Sequence, residues 1–95
     1  MAITVKTTLE DIIQQRLRAA GIWQLTDVHY NRLAQEFYIR PVGLTRGGPS
    51  IDRVLTALQQ PFPDLRNIAD RVSIAADGAR EYIVVDAIDY SDADL

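Results

Sequence analysis

The stretch Arg71 to Ile88 constrains this chain most: two β-branched, aromatic-rich runs, Val72-Ser-Ile74 and Tyr82-Ile-Val-Val85, flank Asp77-Gly78. Apolar strands around an Asp-Gly pair are the strongest short-range signal for a β-hairpin. The preceding residues read mainly as helices. The expected order is therefore helices first and a hairpin last, an α+β chain of three helices followed by a C-terminal β-hairpin.

The first helix is marked by Thr7 and Glu10 at capping-box spacing. Leu9, Ile12, Ile13, Leu17 and Ala20 then form an apolar stripe, and Gly21 supplies the left-handed residue that ends it. A second helix is expected from Thr26 as N-cap, with Leu25 and Tyr30 as its staple and Tyr30, Leu33, Ala34 and Phe37 as its buried face. Pro41 closes it, because the residue before a proline is pushed out of helical geometry. Gly43, Gly47 and Gly48 make a connection. A third helix runs from Pro49 or Ser50 to about Gln60 with Ile51, Val54, Leu55 and Leu58 inward, stopped by Pro61 and Pro63.

Asp64 can cap a further short turn through Leu65 and Ile68. In the hairpin, a two-residue Asp-Gly turn sets Ile74 opposite Glu81. A three-residue loop with Gly78 left-handed instead puts Val72, Ile74, Tyr82 and Val84 on one face, and this register is preferred. Ile83 and Val85 then need cover, which a short N-terminal strand through Ile3 and Val5 can give. Residues 1–88 form one domain and 89–95 an acidic tail expected to fray, with no internal repeat.

At 95 residues the chain can bury roughly 60 to 65% of its unfolded surface, enough for one core. No apolar run reaches the ~20 residues of a membrane span, and Met1 to Lys6 lacks the pattern of a secretory signal; a cytoplasmic setting is expected, with no membrane partner. There is no cysteine, which excludes disulfides and thiolate chemistry. The net charge of −3 disfavours diffuse binding to phosphate, yet nine of ten basic residues are arginine, the side chain suited to planar, bidentate contacts.

No catalytic set stands out. His29 is the single histidine, with packing residues around it, and no serine lies in a nucleophile-elbow pattern. Asp89, Asp92 and Asp94 lack the glycine and closing glutamate of a calcium loop. Arg46-Gly-Gly-Pro-Ser50 lacks the Gly-Lys-Ser/Thr ending of a phosphate loop. Trp23 and Phe62 read as core plugs. No metal, no cofactor and no enzymatic activity are expected.

Three helices and a hairpin resemble, in order alone, the winged-helix domains. That resemblance implies a third helix entering the major groove of duplex DNA and a hairpin touching its backbone. The wet face of the third helix offers Arg53, Thr56, Gln59 and Gln60 to base edges, while Arg46 and Arg80 reach phosphates. The preferred expectation uses the same residues differently: a small, non-enzymatic interaction or assembly module binding a protein partner, or a second copy of itself through the hairpin edge. DNA-binding regulation is the alternative.

Overall fold

The computed structural model describes residues 8–42, 50–60, 68–78 and 80–95. The first helix, α1 (Leu9–Ala19), begins one residue later than the sequence signals imply: Thr8, not Thr7, is the N-cap. Thr8 Oγ1 accepts from the Asp11 amide at 3.1 Å, and the Thr8 amide donates to Asp11 Oδ2 at 3.1 Å, a reciprocal capping box. The helix ends as expected at Gly21, whose φ of +73° is left-handed. Its amide donates to the Arg18 carbonyl, and the Ile22 amide to the Leu17 carbonyl, which together form a Schellman motif.

The expected second helix does not exist. Its residues form two antiparallel strands, β1 (Thr26–Asn31) and β2 (Glu36–Pro41). Val28, Tyr30, Phe37 and Ile39 alternate with polar residues and turn toward the helices, a period of two that the helical reading overlooked. Leu33, assigned to a helical core stripe, is 99% exposed at the hairpin tip. Thr26 does not cap a helix: its hydroxyl donates to the Trp23 carbonyl at 3.0 Å, closing a 3-10 turn (Trp23–Leu25) that feeds β1.

The following helix, α2 (Ile51–Gln59), is where the sequence places it, with the Ser50 hydroxyl accepting from the Arg53 amide at 3.2 Å. A second 3-10 turn (Ala69–Arg71) leads into β3 (Val72–Asp77) and β4 (Arg80–Asp86). The sheet order is β1-β2-β4-β3, antiparallel throughout. The described residues thus form two α-helices and a four-stranded antiparallel sheet, and the three-helix, winged-helix-like order is overturned.

The hairpin exists, but in neither register weighed from the sequence. Asp77 pairs with Arg80 and Ile74 with Ile83, a register that neither loop gives. A one-residue slip reverses every side chain. Val72 and Ile74 therefore share a face with Ile83 and Val85 rather than with Tyr82 and Val84. The in-plane neighbour of β4 is β2, and Ile83 and Val85 are covered by α1 and α2; Ile3 and Val5, with Phe62 and the Asp64–Leu65 turn, lie outside the described residues.

The two halves repeat one plan although the sequence carries no visible repeat. Each has a capped helix, a buried isoleucine opening a 3-10 turn, and a hairpin. Ile22 (φ −119°, ψ 6°) and Ile68 (φ −117°, ψ 13°) hold nearly the same conformation. The second strands of both hairpins meet at the centre, where Phe37 opposes Val85 and Ile39 opposes Ile83. These four join Leu9, Ile13, Leu17, Ile22, Val54, Leu58 and Ile68 in one core beneath α1 and α2.

Ile83→Ala is expected to lower unfolding stability by about 2 to 4 kcal/mol, whereas Leu33→Ala stays within about 0.5 kcal/mol. Urea denaturation of both variants checks the assignment, because a helical Leu33 would show the larger loss.

Candidate functional site

Among the described residues, α1 and α2 lie on one face of the sheet and no element lies on the other. On the other, alternation along the strands presents His29 on β1, Tyr38 and Arg40 on β2, Tyr82 and Val84 on β4, and Ser73 on β3. Tyr38 lies opposite both His29 and Val84. The Tyr38 and Tyr82 rings meet edge-on at 5.5 Å, and the Arg40 guanidinium stacks 4.4 Å from the Tyr82 centroid. Val84 is buried, while the tyrosines are half-exposed. Arginine on an aromatic ring is held flat and keeps its outward N–H groups for a ligand.

The Tyr38 hydroxyl donates to Glu36 at 3.2 Å and accepts from Asn31 Nδ2 at 3.3 Å. Burial, then the hydrogen bond to Glu36, raises its pKa above the ordinary tyrosine value. Glu36 stands directly opposite Asp86, two like charges on the central strand pair, an arrangement that costs stability in the isolated chain.

The residues singled out from sequence do not form one cluster. Arg53, Thr56, Gln59 and Gln60 are all exposed on or just beyond α2, on the helical side of the sheet. Arg53 donates to the Ala20 carbonyl at 3.2 Å, which ties the start of α2 to the end of α1. Arg80 is exposed beside the β3–β4 turn, opposite Asp77. Arg46 lies outside the described residues. His29 is exposed on the sheet face, away from the helical packing the sequence suggested.

Two features escaped sequence reasoning. Arg16, which the sequence did not single out, is 1% exposed between α1 and α2, where burial lowers its pKa; with Ala19, Ala20, Ala57 and Gln60 it borders a space of about 230 Å³. Trp23, read as a core plug, is half-buried and borders an open hollow of about 430 Å³ with Arg18, Gly21, Gln24 and Leu25. The Arg18 guanidinium lies 5.6 Å from the Trp23 centroid.

The C-terminal residues, expected to fray, make contacts with the rest of the chain. Asp89 is gripped by both Arg71 guanidinium nitrogens, one of them 2.6 Å away, and the Arg71 guanidinium also stacks 4.7 Å from the Tyr90 centroid. The Leu95 carbonyl accepts from the Glu10 amide at 3.3 Å. Among the described residues no group of three or more His, Cys, Asp or Glu could hold a metal, and no helix is long and apolar enough to cross a membrane.

Compared with protein-family models, curated proteins and solved structures, the chain matches none. Function is therefore argued from its surfaces.

Hydrogen bonding to Arg71 lowers the Asp89 carboxyl to about 2. The ordinary unfolded value is about 3.9, so the bridge contributes fully above that pH and its contribution vanishes as pH falls through 2. Asp89→Asn should accordingly lower the Tm at pH 7, with the gap from wild type closing between about pH 4 and 2. Thermal unfolding of both proteins across that window is the check, and a gap independent of pH would reject the bridge.

Proposed function

We propose that this protein is a small, non-enzymatic assembly module that binds a protein partner, with the uncovered sheet face as its principal contact. One observation carries the reading: Tyr38, Tyr82 and Arg40 stand together, ordered by mutual stacking, on a face that no element of the described chain covers. Tyrosine and arginine are the residue types that dominate binding energy at protein interfaces. Their stacking orders the side chains beforehand, so less entropy is lost on docking.

The charges on that face favour protein over nucleic acid. Asp27 opposes Arg40, and Glu36 opposes Asp86, so a phosphate backbone laid across the strands meets carboxylates at both ends. An arginine or lysine from a protein partner relieves the Glu36–Asp86 repulsion. The exposed ridge of α2, with Arg53, Thr56, Gln59 and Gln60, and Arg80 at the turn are secondary contacts in this reading.

The double variant Arg40→Ala/Tyr82→Ala should release at least one protein that co-purifies with the tagged wild-type chain from its native cells, a loss of about tenfold or more. Arg53→Glu should keep most of it. Quantitative mass spectrometry of the three preparations decides. An unchanged protein set with the double variant removes the sheet face from the reading, and retention on duplex DNA that falls steeply with salt replaces it by nucleic-acid binding.

A further inference from the structure

On the outer face, β2 sets Glu36, Tyr38 and Arg40 two residues apart, so a carboxylate and a guanidinium are carried on Cα atoms roughly 7 Å either side of Tyr38. Glu36 stands opposite Asp86 across the β2–β4 pair. Both carboxylates are held by neutral donors, Glu36 by the Tyr38 hydroxyl at 3.2 Å and Asp86 Oδ1 by the Ile88 amide at 3.0 Å. Among the described residues neither forms an ion pair. Arg71 donates to the Asp86 backbone carbonyl, but its charge is matched by Asp89.

The other end of the face has the converse. Arg40 is exposed and leans from β2 onto Tyr82 of β4, so its guanidinium lies over the same strand pair that carries Glu36 and Asp86. Asp27 stands across from it on β1, yet among the described residues no carboxylate forms an ion pair with Arg40. One end thus holds two carboxylates without a cation, and the other a cation without a carboxylate. A two-fold axis lying across the strands at Tyr38 and Val84 exchanges these ends. It lays Arg40 of one copy over Glu36 and Asp86 of the other, and the same contact recurs in reverse. An axis along the strands instead sets the Glu36–Asp86 pair of one copy on that of the other, which gathers like charges and is penalised.

We propose that the sheet face turned away from α1 and α2 is closed by the same face of a second copy, with Arg40 of each copy between Glu36 and Asp86 of the other. The inference rests on the assembly reading and names the partner at that face. A partner of another sequence would have to bring a cation to one end and a carboxylate to the other; this chain carries both, at the spacing the contact needs. Sheets packed face to face lie about 10 Å apart, within reach of an arginine from one and a carboxylate from the other. Val84 and the Tyr38 and Tyr82 rings then form the centre, between the two Arg40 contacts. The contact is isologous, so it occupies the face of both copies and closes at a dimer.

Sedimentation velocity of the purified full chain over a concentration series, with circular dichroism to confirm folding, tests this. The wild-type mass should rise to that of a dimer and no further, and fall back as salt screens the charges. Arg40→Glu, which gathers three carboxylates at each contact, and Glu36→Arg, which sets two arginines together, should each weaken self-association by about 30-fold or more. Mixed in equal amounts the two variants should recover the dimer, because one contact is then unaltered and the other has its charges exchanged. A wild-type chain monomeric into the millimolar range overturns the proposal, as do association unchanged by Arg40→Glu, growth beyond a dimer, or a mixture that associates no better than its components. If the wild type is monomeric while Arg40→Ala/Tyr82→Ala still releases a protein of different sequence, only self-docking fails. If that variant releases nothing as well, the sheet face fails with it.

Discussion

The pairing of β2 with β4 is the contact on which the rest of this structure depends. It is the only place among the described strands where the two halves share backbone hydrogen bonds, and it brings Phe37, Ile39, Ile83 and Val85 together beneath the helices. Without it each half is a helix and a two-stranded ribbon, and an isolated ribbon is marginal in water. With it, four strands offer a continuous apolar face wide enough for α1 and α2 to cover. Burial on that face sets the register of every strand, since a shift by one residue would drive the isoleucines outward and the tyrosines in.

The same geometry creates the outer surface. α1 and α2 take one face, and on the other Tyr38, Tyr82 and Arg40 stack on one another in partial contact with water. The antiparallel strands also send consecutive loops to opposite ends. The hairpin tip with Leu33 and the C-terminal turn with Ile88 gather at one end, and the hollow beside Trp23 forms at the other. The acidic residues of the last segment, pinned by the Arg71–Asp89 bridge, lie at the Leu33 end.

Some of this was legible from residues alone, for reasons that can be named. Ser50 before Ile51 and Gly21 after α1 act through their own backbone neighbourhood, so local chemistry located them. The misreading of residues 26–40 has an equally specific cause. Tyr30, Leu33, Ala34 and Phe37 fit a helical stripe while Val28, Tyr30, Phe37 and Ile39 fit alternating strands, and only the strand solution has a partner, β4, to pair with. Arg16 and the Tyr38–Tyr82–Arg40 cluster were missed because burial of an arginine, or stacking across two strands far apart in sequence, has no local signature.

The sequence by itself determined the helices Leu9–Ala19 and Ile51–Gln59, the turn near Gly78 and the apolar character of β4, because caps, glycine conformation and side-chain propensity act over a few residues. The tertiary structure alone decided that residues 26–41 form a β-hairpin, that β2 and β4 lie side by side, and which face of the sheet the two helices take. Those outcomes are set by burial and by backbone pairing between segments more than forty residues apart, where the free energy belongs to the pair and to neither segment.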